Sequence, residues 1–542
     1  MKNKLMKLFA LLLSILAITC FAFACTPDSG ITGGGSGNGE QNQEVENGSK
    51  DDTQEDNGDE TPKHIHSYAL KFDSNNHWQE CSCGDKKDSA KHSGGTATCK
   101  NKAKCLTCEQ EYGDIGIHQY ANGRCECGEY EPTYYTDGLV FELNADNQSY
   151  YVKSCTGNAT EVVIPSIYQN KPVTSIGNFA FAFRFSLESI EIPNSVTSIG
   201  YEAFYNCSSL TSIEIPNSVT SIGFSAFAYC NTLVSIEIPD SVTSIGFSAF
   251  CGCSSLANIE IPNSVTSIED WVFAFCYSLE SIEIPDSVTS IGSSAFYLCS
   301  SLANIIVDTV NEYYKSVDGN LYSKDGKTLI QYAIGKKAID FEIPQHITSI
   351  RAGAFSGSLL TNIVVDKNNE YYKSIDGNLY SEDGTILISY ACGKTTTSFE
   401  IPQSVTYIGE KAFSGCNSLT STIIPSNVTS IGGAAFSNCD SLTSVTIGDS
   451  VTSIGFSAFS NCSSLTSVTI GDSVTSIGNF AFSSCSSLTS IVIPSSVTSI
   501  GYQVFAVCDS LRIYCEATEK PSGWDTDWNI TGCPVVWGYT GK

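Results

Sequence analysis

Histidine, methionine and basic residues are scarce in this chain of 542 residues. It contains six His and two Met, and 57 Asp and Glu outnumber 29 Lys and Arg, which gives a formal charge of −28. This acidic balance argues against a nucleic-acid partner, because phosphate binding needs clustered Lys and Arg. After residue 119 the only histidine is His346. We predict that it is a solvated side chain, at the position of a valine in a sequence motif that recurs along this part of the chain. A Ser-His-Asp or Cys-His site there would need that one residue, so the sequence predicts no catalytic site.

Long apolar runs are also absent, except at the start of the chain. Lys2, Lys4 and Lys7 precede an almost unbroken apolar run from Leu8 to Ala24, which ends in small residues before Cys25. This pattern is typical of a secretory signal peptide, over residues 1–24, and the run is too short to require a permanent transmembrane helix. No later stretch is apolar over the roughly 18 residues that a spanning helix needs.

The cysteine after the predicted cleavage point resembles the lipobox of bacterial lipoproteins. The resemblance implies that Cys25 is diacylated and becomes the mature N-terminus, the alternative being an ordinary secretory signal with Cys at its first mature position. Residues 25–63 are rich in Gly, Ser, Asn, Gln and acidic residues, and such a segment predicts a disordered acidic tether. We therefore expect a secreted protein on the outer face of the bacterial cell membrane, held only by its lipid anchor.

One repeated motif organises most of the chain. Around cysteines spaced 230 − 207 = 23 residues apart it reads C-x-S-L-x-x-I-x-I-P-x-S-V-T-S-I-G-x-x-A-F. Leu-x-x-Ile-x-Ile alternates like a strand with one buried face, proline ends that strand, and Val-Thr-Ser-Ile gives a second extended stretch. A single coil cannot bury its apolar side, but stacked coils share a core. The motif predicts a β-rich solenoid with parallel strands about 4.8 Å apart.

This repeat resembles the leucine-rich repeats of the BspA/Treponema type, found in surface proteins of gut and oral bacteria. The resemblance covers about residues 134–542 and implies a curved horseshoe or arc, with an N-terminal cap over 132–180, repeats over 181–511 and a C-terminal cap over 512–542. Residues 311–322 return at 369–380 with only Val317 changed to Ile375. Asp-Gly turn signals within them predict two β-hairpin inserts, near 308–340 and 366–398.

The cysteine column of the repeats has two interpretations. Equivalent residues of adjacent coils would lie within disulfide range, but the same position is Arg184 in the first coil and Ser358 after the first insert, so no pairing scheme is enforced. Free cysteine is also a good small buried residue, and we favour a reduced, structural column. Cys515 and Cys533 lie outside it and are the predicted disulfide.

The position between the two isoleucines of each first strand is predicted to point away from the core. It is acidic in the early coils and at Glu342 and Glu400, and becomes Thr446, Thr469 and Val492 in the last coils. Neighbouring carboxylates about 5 Å apart repel by about 0.8 kcal/mol in water. The acidic stripe is interpreted either as a docking face for a basic partner or divalent cations, or as a solubilising surface that discourages aggregation. Its candidate partner-binding residues are Glu191, Glu214, Glu237, Glu260 and Glu283.

Residues 64–131 contain five of the six histidines and seven cysteines. Cysteine pairs on tight turns, followed by further Cys or His, suit tetrahedral zinc in a structural role. The alternative is cross-linking by disulfides, which the extracellular location of a secreted protein favours. We favour a zinc module, although seven cysteines leave the grouping of ligands open. The candidate ligands are His66, Cys81, Cys83, His92, Cys105, Cys108, His118, Cys125 and Cys127.

The family resemblance implies adhesion or protein–protein interaction at the cell surface, with protein or glycoprotein ligands on host matrix or other bacteria. An envelope scaffold without a host ligand is the second interpretation. A zinc-dependent hydrolase that uses the Cys/His module is a distant third. The sequence does not name the ligand, because repeat surfaces serve many partners on one scaffold.

Overall fold

The computed structural model describes residues 67–73, 76–82, 86–92, 103–104, 111–112, 120–121, 124–125 and 131–541. They fall into two compact units, which divide between Tyr134 and Tyr135. The signal peptide, Cys25 and the acidic tether lie outside the described residues.

The first unit contains short antiparallel strands. One sheet of three strands has the order β1-β2-β3, and two further ribbons pair β4 with β5 and β6 with β7. His77 and Cys81 are buried on the central strand of that sheet. The strands are β1 (Tyr68–Phe72), β2 (Asn76–Cys81), β3 (Lys86–Lys91), β4 (Ala103–Lys104), β5 (Glu111–Tyr112), β6 (Tyr120–Ala121) and β7 (Arg124–Cys125).

The second unit is the solenoid, which begins with an N-terminal cap. An antiparallel β8–β9 hairpin pairs through β9 with β12, and β12 pairs in parallel with the first repeat strand that follows it. The cap therefore covers the end of the array by continuing its sheet, as an exposed solenoid end requires. Its strands are β8 (Leu139–Leu143), β9 (Tyr150–Cys155), β10 (Glu161–Val163), β11 (Ile167–Tyr168) and β12 (Lys171–Ile176).

Each coil contributes a rung to two parallel ladders. The first ladder, from the Leu-x-x-Ile-x-Ile stretch, comprises β13 (Ser189–Glu191), β16 (Ser235–Ile236), β18 (Asn258–Ile259), β20 (Ser281–Ile284), β22 (Asn304–Val307), β26 (Asp340–Ile343), β28 (Asn362–Val365), β32 (Ser398–Glu400), β34 (Ser421–Ile424), β36 (Ser444–Ile447), β38 (Ser467–Thr469), β40 (Ser490–Ile493), β42 (Arg512–Cys515) and β44 (Val535–Trp537). The second, from Thr-Ser-Ile, comprises β14 (Ser198–Ile199), β15 (Ser221–Ile222), β17 (Ser244–Ile245), β19 (Ser267–Ile268), β21 (Ser290–Ile291), β27 (Ser349–Ile350), β33 (Tyr407–Ile408), β35 (Ser430–Ile431), β37 (Ser453–Ile454), β39 (Ser476–Ile477), β41 (Ser499–Ile500) and β43 (Gly523–Trp524). The predicted parallel solenoid is confirmed.

A stack of phenylalanine rings runs through the core. Six of them, one from each coil between Phe181 and Phe296, stack with centroids 5.2–5.9 Å apart and interplanar angles of 2–8°. A second stack runs from Phe413 to Phe505 and ends edge-on against Trp528 of the C-terminal cap. We call these rings the aromatic spine. Every ring in it is covered by its neighbours, so the burial of each coil depends on the adjacent coils.

The repeated polar residues bond to the preceding coil. The Ser218 hydroxyl donates to the Val196 carbonyl at 2.5 Å, and the Thr220 hydroxyl donates to the Thr197 carbonyl at 3.2 Å. The thiol of Cys230 donates to the Phe204 carbonyl at 3.2 Å, and the other column cysteines except Cys416 repeat this contact. The motif thus places small hydroxyl and thiol donors next to backbone carbonyls of the preceding coil that need a hydrogen-bond partner.

The side of each coil that follows the second ladder is a chain of tight turns, which we call the turn side. In one coil the amides of Glu202, Phe204 and Asn206 donate to carbonyls of the next coil at 2.7–2.8 Å, while the amides between them close local turns. Glu202 and Asn206 adopt positive φ angles of 49° and 55°. Backbone donors on this side are therefore paired without a helix.

The two predicted hairpins form, and each adds a third strand. Asp318 and Gly319, with φ angles of 48° and 71°, make the two-residue turn between β23 (Tyr314–Val317) and β24 (Asn320–Ser323), as an Asp-Gly pair favours. Next, β25 (Thr328–Gln331) pairs antiparallel with β24 and parallel with β27, so it supplies a rung of the second ladder. The second insert repeats this with β29 (Tyr372–Ile375), β30 (Asn378–Ser381) and β31 (Ile386–Ser389).

The cysteines correct two predictions. Cys515 and Cys533 are buried free thiols and not a disulfide. They extend different parts of the core, since Cys515 ends β42 beside Ile493, whereas the Cys533 thiol contacts the Cys508 carbonyl at 3.4 Å.

A disulfide forms instead between Cys392 and Cys416, whose Cα atoms are 4.5 Å apart. Cys416 belongs to the column predicted to be reduced, and Cys392 lies in the second insert. The corresponding residues of the first insert and its following coil are Ile334 and Ser358, 58 residues earlier, so this pair has no counterpart there.

His346 also differs from its predicted place. Ile347 is the buried residue at the valine position of that repeat, and His346 is exposed at the preceding serine position. The predicted exposure of the histidine is therefore correct, but its alignment within the repeat is wrong by one residue.

Candidate functional site

The outward side chains of the first ladder form a continuous surface, which we call the strand face. Buried or partly buried core residues, most of them Ile or Val, flank these positions, because strand residues alternate between the core and solvent. In chain order the face comprises Glu191, Glu214, Glu237, Glu260, Glu283, Ile306, Glu342, Val364, Glu400, Ile423, Thr446, Thr469, Val492 and Tyr514.

The first five positions carry the predicted glutamates, and we call them the acidic segment. All five side chains are exposed, and Glu214 and Glu237 lie opposite each other in a parallel bridge. No Lys or Arg stands between Arg184 and Lys315, so the stretch of sequence from Glu191 to Glu283 contains no basic residue. Adjacent rungs about 4.8 Å apart leave a repulsion of about 0.8 kcal/mol per neighbouring pair in water. A basic ligand would relieve that repulsion.

The inserts change the strand face in a way that the repeat motif did not predict. Glu283 pairs with Ile306, Glu342 with Val364 and Glu400 with Ile423, so glutamates alternate with apolar residues through the middle coils. Ile423 is the most exposed of these apolar residues, at 67%. The signal that could have found them is the identity of the residue between the two inward-facing strand positions in every coil, including the coil just before the first insert.

The last repeat coils form what we call the neutral segment of the strand face. Ile423, Thr446, Thr469 and Val492 line a groove with a volume of about 570 Å³, and the carboxylates of Asp449, Asp472 and Glu516 line it too. A groove that combines apolar and hydroxyl-bearing walls with a few carboxylates can accept an extended peptide or the edge of a protein domain. The strand face therefore offers two chemically different surfaces on one rigid scaffold.

Only part of the predicted zinc site can be placed. Cys81 and His92 are buried, and His92 Nε2 lies 2.7 Å from the carbonyl of Asp73. The His92 ring also lies 5.7 Å from that of His77, a histidine that was not among the predicted ligands. Among the residues that the structure describes, no group of three or more His, Cys, Asp or Glu could hold a metal ion. The side chains of the remaining predicted ligands, His66, Cys83, Cys105, Cys108, His118, Cys125 and Cys127, lie outside the described residues.

The solenoid thiols are poorly suited to nucleophilic or metal chemistry. Burial raises the pKa of Cys251, Cys439 and Cys485 to about 12 in each case. At neutral pH these cysteines are protonated, and the thiolate is the reactive and metal-binding form. All three fill the core, and Cys439 and Cys485 also donate hydrogen bonds to the Phe413 and Phe459 carbonyls.

No stretch within 67–541 that the structure describes forms a helix long and apolar enough to cross a bilayer.

Solved structures with sequence similarity to this chain include bacterial leucine-rich-repeat proteins. A leucine-rich cell surface protein of Faecalibacterium prausnitzii is 32% identical over 76% of this chain and 100% of its own, with a TM-score of 0.37. A leucine-rich repeat protein of Bacteroides ovatus is 26% identical over 75% of this chain and 92% of its own, with a TM-score of 0.29. The pneumococcal vaccine antigen PcpA is 22% identical over 75% of this chain and 98% of its own, with a TM-score of 0.39.

Comparison with curated proteins gives no match. The model of the BspA type leucine-rich repeat region, in contrast, matches in six copies over residues 149–246, 220–317, 331–382 and 388–512, which is more than half of the chain. The chain therefore belongs to the BspA-type leucine-rich-repeat family.

Proposed function

We propose that this protein is a surface-anchored adhesin that binds protein or glycoprotein ligands through its strand face. The family indicates protein–protein interaction or adhesion in general terms, and its solenoids are typically non-enzymatic. The similar protein of F. prausnitzii is described as a cell surface protein. The observation that carries the proposal is the exposed acidic segment, which lies in a stretch of sequence, 185–314, without any Lys or Arg.

The proposed ligand carries a basic region that docks on the acidic segment. Complementary charges steer association and set register, while apolar contacts supply most of the affinity. The neutral segment, with Ile423 exposed at the edge of its groove, provides such an apolar contact surface farther along the same face. A ligand on host matrix or on another bacterium would bind from the solvent side of the cell.

Neutralising the acidic segment should weaken binding to immobilised host matrix proteins. Changing its five glutamates to glutamine removes five charges and is expected to raise the Kd by about tenfold or more in low salt, with a smaller effect in high salt. Binding is measured by surface plasmon resonance at two salt concentrations. The variant set is Glu191→Gln, Glu214→Gln, Glu237→Gln, Glu260→Gln and Glu283→Gln.

The matched control removes the same charge from exposed acidic residues of the same coils that do not lie on the strand face. Equal affinities of the wild type and the strand-face variant would eliminate the docking role and leave the solubilising interpretation. An equal loss in the control would indicate a general charge effect. The control set is Glu188→Gln, Asp240→Asn, Glu269→Gln, Glu280→Gln and Asp286→Asn.

We also propose that Cys25 carries the lipid that holds the protein on the outer face of the membrane. The support is the apolar run that ends in small residues immediately before this cysteine. Cys25→Ser should abolish incorporation of labelled palmitate and release the protein into the medium. Labelled, membrane-bound Cys25→Ser protein would contradict the anchor.

A structural zinc site in residues 64–131 is proposed on the donor set alone, since paired cysteines and nearby histidines suit zinc. Anaerobically purified protein should contain zinc that a chelator removes, and removal should unfold this module without affecting the solenoid. Protein without zinc that contains disulfides in this segment would favour the alternative.

A further inference from the structure

A second concave surface lies on the turn side of the solenoid, beside the two inserts. It has a volume of about 360 Å³, and its walls include Trp271 and Phe275 from an early coil and Phe456 and Phe480 from late coils. Tyr297 and Lys411 also line it. We call this surface the turn-side cleft. Its lining residues do not overlap those of the strand face.

The inserts bring the two walls of the cleft together. In the first insert coil, the core residue Tyr332 follows Leu329 of the second ladder after 332 − 329 = 3 residues. In a repeat coil, the core residue Phe227 follows Ile222 of the second ladder after 227 − 222 = 5 residues. The turn side is therefore shorter at the insert coils, which lets the repeat coils before and after them meet. The Tyr297 hydroxyl bonds with that of Ser414, and Asn438 Nδ2 donates to the Tyr297 hydroxyl at 3.0 Å.

Glycines permit this approach. Leu298 packs onto Gly357 and Gly415, where a Cβ would lie 2.5 Å and 2.9 Å from the Leu298 Cδ2 atom. Both glycines also have positive φ angles, of 71° and 75°. A side chain at either position would push the early coil away, so the contact depends on residues that the regular repeat does not specify.

A buried lysine forms part of the floor of the cleft. The Lys411 side chain is 5% exposed, and its Nζ atom donates to Ser294 Oγ at 2.7 Å and lies 3.3 Å from Glu410 Oε1. The same ammonium lies 5.8 Å from the centroid of the Trp271 ring and 5.9 Å from that of Tyr297. Lys411 therefore joins the late coils to Ser294, 117 residues earlier in the chain, and to the two aromatic rings of the early coils.

The two walls differ in chemistry. The early wall is aromatic, with Trp271 and Phe275, whereas the late wall adds hydroxyl and amide groups around Phe456. Asn461 and Ser483, which line the late wall, are more than nine-tenths buried. Among the described residues, Asn461 Oδ1 and Ser483 Oγ have no hydrogen-bond partner. A polar atom buried without a partner is costly, so these groups point to a ligand that supplies hydrogen bonds.

We propose that the turn-side cleft binds a small neutral saccharide. A sugar ring has an apolar face that packs on aromatic rings and an edge of hydroxyls that both donate and accept hydrogen bonds. The volume is at the lower end of the range for small-molecule pockets, about 300–1,000 Å³, which suits a short saccharide.

Charge disfavours an acidic ligand. Asp270 and Glu410 line the cleft, and its one lysine is already paired with Glu410 and bonded to Ser294. The cleft therefore has more negative than positive charge. A carboxylated or sulfated sugar would be repelled, whereas hydroxyls can donate to both carboxylates.

The test is isothermal titration calorimetry of the full-length protein with neutral mono-, di- and trisaccharides built on glucose, galactose, mannose and N-acetylglucosamine. Sialylated and sulfated sugars serve as acidic comparators. Phe456→Ala should weaken binding of the neutral sugar by about tenfold or more. Phe456→Trp retains an aromatic surface and should keep the affinity within about threefold. The affinity ratios are obtained from the fitted Kd values.

Phe247→Ala is the matched control. Phe247 occupies the same repeat position as Phe456 and is 37% exposed, against 52% for Phe456, but it does not line the cleft. Its loss should leave sugar affinity unchanged. The absence of binding by any neutral sugar at about 10 mM would overturn the proposal. Binding that Phe456→Ala leaves intact, or binding restricted to acidic sugars, would also overturn it. Because the strand face is unchanged in these variants, either result is independent of the proposed protein docking.

Discussion

The fold depends on the fact that one coil of 23 residues cannot cover its own apolar side. In this chain the aromatic spine shows how neighbours supply that cover, because its inner rings lie between the rings of the coils before and after them. Burial of a phenylalanine contributes about 1.5–3 kcal/mol. The polar part of the motif serves the same purpose, since its Ser, Thr and Cys side chains donate to carbonyls of the preceding coil. Stability is therefore a property of neighbouring coils.

Regular stacking leaves the outer surface free to vary, and the two inserts use that freedom. In the repeat coils around them Ile306, Val364 and Ile423 interrupt the row of glutamates on the strand face, and the inserts shorten the turn side so that Tyr297 reaches Ser414. A rigid scaffold thereby carries an acidic segment, a neutral segment and a separate cleft. Such surfaces on rigid elements are well suited to recognition, because little ordering entropy is lost on binding.

Most of the fold could be predicted from the sequence because the same motif, with the same buried and exposed positions, recurs in coil after coil. The alternation of buried and exposed strand positions placed Glu191 and Glu283 on the surface, and the Asp318-Gly319 pair predicted its hairpin turn. Contacts that depend on the inserts could not be predicted in this way. The Cys392–Cys416 disulfide and the meeting of Tyr297 with Ser414 depend on how the inserts change the path of the chain, which no local pattern records.

The central claim is that neighbouring coils hold one another through the aromatic spine, and substituting a single ring tests it most directly. The measurement compares the free energy of urea unfolding, followed by circular dichroism, for Phe227→Ala and Phe224→Ala. Phe227 is fully buried in the spine, whereas Phe224, three residues earlier in the same coil, is 40% exposed. We expect a loss of about 3–5 kcal/mol for Phe227→Ala and of under about 1 kcal/mol for Phe224→Ala. Equal, small losses for both variants would contradict the account.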